Sequence, residues 1–587
     1  MVHDSSSRTF HYERRRPETT VLYQVLQRHL EPLLADVERA DGDRVLPYFV
    51  KRELRDFLGC GILAKGFLRV RCPQCCHDRV VAFSCKRRGF CPSCGGRRMA
   101  EKAAHLVDHV FPEVPVRQWV LSLPHRIRYR LAYDQEACTV ALRAFMRTVF
   151  ADLRRRAKLR HGVSNGKPGG ITFVQRFASS LALNVHFHSL VLDGVYETHD
   201  DGSVRFVPLP PPTDEQVVAL TKKVGRSVRR ALARAGKLLD ELDPEPDTLA
   251  TDQPALAALY GSSVLGRVAT GDRAGRQVER LGDRVTVDDA EQVTPRRCAE
   301  VLGFSLHADV AVPARDRKRL ERLCRYVARP PLATDRLHRR SDGKLVYLFR
   351  KPWRDGTRGV VLTPAELIEK LIALIPPPQA NLLRYHGVLA PGSKLRRQVV
   401  GGARSPNERT DAAPTIAAGS LPASTLGAGS ASTPRRGISM LSTIPGVTDM
   451  SCEARSEAAG ATTSPSPAGS ISITAMLSAP SVGFGERPGD LGHRLEAIGR
   501  RRMTWAELMK RVFALDVLEC PICHGPMKII AEITQPSVIR RFLAALDLPG
   551  EPLEIEPARP PPQMELDWGD GVESDSVAIG DTFLLHA

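Results

Sequence analysis

The residues most able to do chemistry in this chain are two histidines and a tyrosine. In Asn184-Val-His186-Phe-His188-Ser-Leu-Val-Leu-Asp193-Gly194 the histidines stand two residues apart. In a strand, residues two apart project from the same face, so His186 and His188 point together while Phe187 enters the core on the other side. Two adjacent imidazoles can hold a divalent metal, with a third ligand still required. Phe173, Gln175 and Phe177 alternate on the preceding strand-like run, and Gln175 would lie beside the histidines if the two strands pair. Downstream, Arg315 to Pro330 reads as a basic helix with Leu320, Leu323, Cys324 and Val327 as its buried stripe. Tyr326 sits at the edge of that stripe, ringed by Arg322, Arg325 and Arg329. A phosphodiester resists attack because its charge repels nucleophiles, and a bound cation offsets this by polarising a non-bridging oxygen. A tyrosine phenolate could then attack phosphorus and conserve the bond energy in a covalent link, with the arginines on flanking phosphates. On local sequence alone, Tyr326 reads equally well as a helix tyrosine with its hydroxyl in water.

Cysteine supplies a second kind of chemistry. Cys72-Pro-Gln-Cys75-Cys76-His77 is followed by Cys85 and then by Cys91-Pro-Ser-Cys94-Gly-Gly. Two Cys-x-x-Cys knuckles separated by fifteen residues suit a tetrahedral thiolate site, each presenting two sulfurs about 2.3 Å from the metal. Cys72, Cys75, Cys91 and Cys94 are therefore expected to share one structural Zn²⁺, with Cys76, Cys85 and His77 as substitutes. The competing reading is a set of buried free cysteines. Lys86, Arg87, Arg88, Arg97 and Arg98 surround the knuckles and suit nucleic acid. Cys520-Pro-Ile-Cys523-His524 is half of such a site. It borrows a ligand such as His524, reaches elsewhere, or is a metal-free turn.

The elements that must position these groups follow from hydropathy patterning. Val21, Leu22, Val25, Leu26 and Leu30 predict a helix, and so do Ala141 to Leu159, Glu215 to Leu239 and Pro364 to Leu374. Ile171 to Phe177, Val185 to Leu192 and Tyr347 to Phe349 read as strands. Residues 402–489 hold no Lys, His, Tyr or Trp and are filled with Ala, Ser, Gly, Thr and Pro, the composition of a flexible linker. Helices near 495–516 and 536–546 flank the last cysteine pair. The expected divisions are 1–110, helical and zinc-binding; 115–400, catalytic with a C-terminal extension; 402–489, linker; 490–548, a small helical unit; and 549–587, an acidic Pro-rich tail.

The chain has 587 residues with 84 Lys plus Arg against 66 Asp plus Glu, a net charge of +18. Nine acidic residues and one arginine fall after residue 550, so the remainder is more basic than the total implies. Such an excess points to a polyanionic partner. No stretch approaches the roughly 18 apolar residues of a membrane span, and the first residues lack a signal-peptide core. A cytoplasmic protein, with metal rather than disulfides at its cysteines, is the expectation.

Several phrases in order resemble the insertion sequence 91 family of transposases. They are the knuckles, Gln175-Arg-Phe with Asn184-Val-His-Phe-His and Leu192-Asp-Gly, and Arg325-Tyr-Val-Ala-Arg-Pro-Pro331. Pro352-Trp-Arg-Asp-Gly356, Tyr385-His-Gly-Val-Leu-Ala-Pro391 and Leu518-Glu-Cys-Pro-Ile-Cys523 add to these. The resemblance implies a His-hydrophobic-His enzyme that cleaves single-stranded DNA at element ends. It would leave a 5′-phosphotyrosine and a free 3′-hydroxyl and move the element by a rolling-circle route. Tyr326 would be the nucleophile, and His186 and His188 ligands of a catalytic Mg²⁺ or Mn²⁺. Gln175 is the expected third ligand, with His307 and Asp309 as rivals. Arg322, Arg325, Arg329, Arg87 and Arg88 would contact DNA. Some members carry two tyrosines four residues apart, but Arg322 stands at that position here. A single nucleophile would need the released 3′-hydroxyl or a second subunit, hence a homodimer, for strand transfer. The linker is longer than the join in that family. With the element assignments, the resemblance implies an α+β fold. It comprises an N-terminal zinc-binding module, a nuclease domain with a central antiparallel sheet, a disordered linker and a small helical C-terminal unit. The alternatives are a zinc-dependent DNA-binding protein without catalysis, and a plasmid replication initiator or relaxase of the same chemistry.

Overall fold

The computed structural model describes residues 14–40, 46–238, 247–282, 296–400, 503–513 and 516–558; the expected linker and most of the acidic tail lie outside them. The N-terminal module begins with the helices Val21–Ala40 (α1) and Tyr48–Leu58 (α2), whose apolar stripes bury Leu26, Leu30, Val50 and Leu54. A turn at Gly59–Gly61 leads into the antiparallel hairpin of Phe67–Arg71 (β1) and Asp78–Ala82 (β2), clamped by a bidentate Arg69–Asp78 pair. Pro92 then opens the helix Pro92–His109 (α3) at its first position, where a missing N–H costs nothing.

The central region starts with Val116–Ser122 (β3) and the helices His125–Tyr133 (α4) and Gln135–His161 (α5). Asp134 caps α5 by accepting from the Ala137 amide, and Gly162, in the left-handed region, ends it. Gly169–Phe177 (β4) and Leu183–Leu192 (β5) follow, then the hairpin Gly194–Thr198 (β6) and Val204–Pro208 (β7). A Thr213–Gln216 capping box opens Asp214–Arg234 (α6), followed by Thr248–Asp252 (α7) and Pro254–Val264 (α8). Next come Glu279–Leu281 (β8), Cys298–Val301 (β9), Phe304–His307 (β10) and Ala311–Val312 (β11). The basic helix is Arg317–Val327 (α9). Leu337–Arg339 (β12), Leu345–Leu348 (β13), Gly359–Leu362 (β14), Pro364–Leu374 (α10), Leu383–Gly387 (β15) and Arg396–Val399 (α11) complete it.

Six of these strands form the main antiparallel sheet in the order β15-β4-β5-β3-β10-β9, with β11 also paired to β3. Its two faces have different covers. Val174, Val185 and Phe187 point into the large core beneath α5, where Phe187 stacks on Phe145 at 6.3 Å. Phe173, Leu190 and Val116 meet Leu320, Leu323, Cys324 and Val327 of α9 and Ala103, Leu106 and Val107 of α3. The zinc module thus lies on the histidine face through α3. The strand and helix expectations for this region agree with the observed elements.

The C-terminal unit departs from the sequence reading. Besides the helices Trp505–Phe513 (α12) and Pro536–Ala545 (α13), it contains the strand Lys528–Ile533 (β16). This strand pairs with β1 to make a three-stranded sheet in the order β16-β1-β2. The unit is therefore not purely helical. Its apolar residues Ile533, Ile539 and Leu543 find their partners in Leu63, Phe67 and Val80 of the N-terminal module. Among the described residues, no helix is long and apolar enough to cross a membrane.

Candidate active site and metal centres

Strand β5 has a neighbour on each side, which fixes its register twice. Gln175, His186, Ser122 and Ser305 align in one row across β4, β5, β3 and β10; Phe173, His188, Val120 and His307 align in the next. Cross-strand partners share a face, so the imidazoles, Gln175 and His307 all project from one side. The Nε2 atoms of His186 and His188 are 3.0 Å apart. Adjacent ligands on an octahedral cation with bonds of about 2.1 Å stand about 3.0 Å apart, so the pair fits a small divalent ion.

The outer nitrogens set the tautomers. His186 donates from Nδ1 to the Asn184 carbonyl at 2.8 Å, which leaves its Nε2 as a bare lone pair. His188 Nδ1 accepts from the Gln118 amide at 2.7 Å, so its proton sits on Nε2 and is donated to His186. A half-turn of the Gln118 amide would present the oxygen instead, move the proton to Nδ1 and bare both Nε2 atoms. Burial lowers the His186 pKa to about 4, helped by the charges of Arg329 and Arg128 against the Asn184 bond. Burial also lowers that of His188, with His186, Arg329 and His307 adding to it. Both rings are neutral at ordinary pH, the form that binds metal.

Gln175 is buried with its Nε2 donating to the Val327 carbonyl at 2.6 Å, while its Oε1 has no partner. A buried acceptor left unpaired costs about 1–3 kcal/mol, and a cation beside His186 would satisfy it. The rivals stand differently. Asp309 is paired with Arg297 at 2.6 Å. His307 lies two strands from His188, roughly 10 Å by strand spacing. Among the described residues, no third His, Cys, Asp or Glu ligand atom closes on the histidine pair.

Helix α9 buries the four residues read as its stripe and leaves Tyr326 43% exposed at the margin. The Tyr326 ring meets His188 edge-on with centroids 6.1 Å apart. The Arg329 guanidinium covers the same ring at 4.3 Å and donates to the Tyr326 carbonyl. Arg317 fastens the start of α9 to the end of α3 through the carbonyls of Val107, Phe111 and Pro112. The nucleophile candidate and the ligand candidates are thus brought together by two packed helices over one sheet face.

The arginines expected on DNA divide. Arg87 is paired with Asp56, Arg325 with Glu321, and Arg322 is exposed. Arg88, which also donates to the Ala380 carbonyl, and Arg329 line a cavity of about 200 Å³ together with Arg98, Lys102, Arg176 and Gln175. No carboxylate lines it. Burial, then the charges of Arg98 and Arg88, lower the Lys102 pKa. The cations lining it outnumber the carboxylates nearby, Glu53 beside Arg88 and Arg98 and Glu101 beside Lys102, a balance that suits phosphate. Another cavity, of about 220 Å³ beside α6 and β10, carries Lys222, Arg226, Arg229 and Arg230 but no nucleophile or ligand pair.

The cysteines overturn the expected grouping. Cys72, Cys75, Cys91 and Cys94 do not share one site. Cys91 and Cys94 close with Cys60 and Cys85, whereas Cys72 and Cys75 close with Cys520 and Cys523. Cys76, His77 and His524 belong to neither group. In the first quartet, neighbouring sulfurs lie 3.5–3.8 Å apart. A tetrahedral ion with Zn–S bonds of about 2.3 Å requires about 3.8 Å, so this quartet fits zinc. The physical reason is that hairpin β1–β2 carries Cys72 and Cys75 away from the start of α3. Cys60, between two glycines, brings the needed thiol instead. A lone cysteine, it has no knuckle by which the sequence could mark it. Nothing in its local sequence distinguishes Gln118 either.

Residues 25–123 match the family model described as "Transposase zinc-binding domain", of the insertion sequence 91 type. Residues 169–397 match the model described as "Putative transposase". Together they span more than half of the chain. The chain is an insertion sequence 91 type transposase. The first match contains the whole first cysteine quartet and Gln118, and the second contains β4, β5 and α9 of this transposase. No curated protein and no solved structure matches the chain. As a transposase it processes DNA, and its zinc-binding domain carries the first four-cysteine cluster.

Proposed function

We propose that this transposase nicks single-stranded DNA at the ends of its element through Tyr326. The observation that carries the reading is the tyrosine ring edge-on to His188 at 6.1 Å, above a neutral histidine pair. The Tyr326 oxygen gives up its proton and attacks the phosphorus, a phosphotyrosine bond forms, and the bond to the 3′ oxygen breaks, that oxygen taking up a proton to leave as a hydroxyl. His186, His188 and Gln175 would hold a Mg²⁺ or Mn²⁺ ion. When bound, it polarises a non-bridging oxygen of the scissile phosphate. Arg88, Arg98, Lys102 and Arg329 receive the neighbouring backbone phosphates. Gln175, through its bond to the Val327 carbonyl, also keeps the end of α9 against the sheet. Arg322 replaces a second tyrosine one turn earlier, so strand transfer falls to the released 3′-hydroxyl or a second copy of the chain.

The test is incubation of the full chain with single-stranded element-end DNA and Mg²⁺ or Mn²⁺. A denaturation-resistant adduct that maps to Tyr326 and disappears with chelator is expected. DNA binding without any adduct, across metals and end sequences, would move the assignment to a DNA-binding protein without catalysis.

A further inference from the structure

The second cysteine quartet joins two parts of the chain that the family models do not connect, because Cys520 and Cys523 lie outside both matched segments. We propose that Cys72, Cys75, Cys520 and Cys523 bind a second zinc ion, and that this ion clasps the C-terminal unit to the N-terminal module.

The two knuckles are built alike. In the first, the Cys72 carbonyl accepts from the Cys76 amide at 3.0 Å, and the Cys72 amide donates to the His77 carbonyl at 2.9 Å. In the second, the Cys520 carbonyl accepts from the His524 amide at 3.0 Å, and the Cys520 amide donates to the Gly525 carbonyl at 2.9 Å. Cys76 and His524 both have φ of 58°, a left-handed conformation that costs a non-glycine residue energy. Two strained turns of one form, facing each other, are what a four-thiolate ion needs from two knuckles. The sulfurs meet across the gap, Cys72 with Cys523 and Cys75 with Cys520, each at 3.4 Å. All four are free thiols. Val70 and Met527 close the apolar side of the quartet, and β16 extends the sheet beside it.

The clasp reaches the reaction centre. In α12, just before the second knuckle, Arg511 pairs with Asp108 of α3 and, at 2.9 Å, with Glu321 of α9. Glu321 also holds Arg325, the neighbour of Tyr326. The ion therefore positions the segment that braces the tyrosine helix from outside.

Metal content of the purified full chain tests this, with paired variants analysed as a cycle. The parent should carry two zinc ions. Cys520→Ser/Cys523→Ser and Cys72→Ser/Cys75→Ser should each lose one, and combining all four substitutions should lose no more. Two ions retained by the C-terminal pair variant would overturn the proposal, as would complete loss in the combined variant or iron in place of zinc. Alkylation of the unmutated chain during chelator titration covers variants that fail to fold. The four thiols should become reactive together. Cys520 and Cys523 reacting without chelator, while Cys72 and Cys75 stay protected, would also overturn it.

Discussion

Gln118 decides which nitrogen of His188 carries the proton, so its replacement should be felt by a metal that Gln118 never touches. The residue is 3% exposed, and its amide is 2.7 Å from His188 Nδ1. Gln118→Met keeps the volume but offers no acceptor to Nδ1–H, so the tautomer that bares Nε2 loses its support. Outer hydrogen bonds to metal-bound histidines are worth about 10–100-fold in affinity, or about 1.4–2.8 kcal/mol. Gln118→Glu should behave oppositely. A carboxylate only accepts, which enforces Nδ1–H on His188 and strengthens its Nε2 as a donor to the cation. The assay is calorimetric titration of zinc-loaded protein with Mn²⁺. Weakening by about 10–100-fold in Gln118→Met, with parental or tighter binding in Gln118→Glu, is expected. Equal losses in both variants, or a change under about twofold in Gln118→Met, would refute the tautomer argument.

Tyr326→Phe should abolish the covalent DNA adduct while leaving DNA affinity in gel-shift titrations unchanged; a persisting adduct would place the nucleophile elsewhere. Asp193→Ala strands the Arg117 guanidinium, which is 2% exposed and bonded to Asp193 at 2.7 and 3.0 Å. Urea unfolding should show a loss of about 3–5 kcal/mol, most of it recovered in Arg117→Met/Asp193→Leu. A loss below about 1 kcal/mol would mean that the pair is solvated. Acidification should destabilise the metal-free protein through His186. Its folded pKa of about 4 lies below the unfolded value of about 6.5, so the unfolded chain binds more protons in that window. Stability therefore falls as pH drops below about 6.5, by about 1.4 kcal/mol at pH 5.5 and by more toward the folded value. Urea midpoints of the parent and His186→Leu at pH 7.5 and 5.5 check this; equal pH slopes would refute it.

How much was legible in the sequence depended on how local each signal was. Period-two alternation around Phe187 and the stripe Leu320–Leu323–Cys324–Val327 are local, and the expected strand and helix are both observed with the expected faces. The adjacency of Gln175 and His186 needed only a hairpin, and it too was readable. The cysteine grouping was not, because two knuckles close in sequence were separated by a hairpin while their partners lay at Cys60 and Cys520. Strand β16 was missed for the same reason. Its six residues declare themselves only against β1, far upstream in the chain. Gln118 shows its importance only once β3 lies beside β5.

The pairing of β16 with β1 also has a consequence in time. Once the ribosome has released β2, strand β1 has one open edge, and the 445 residues from 83 to 527 must still be made before β16 begins. At about 5–20 residues per second that interval is roughly 20–90 s. Throughout it, the nascent chain exposes an unpaired edge and the apolar surface around Leu63, Phe67 and Val80 that β16 and α13 later cover. A messenger cut short between Tyr326 and β16 would yield polypeptides holding the histidine pair and Tyr326 but with this edge left open. Such products would be prone to sticking to one another and to chaperones.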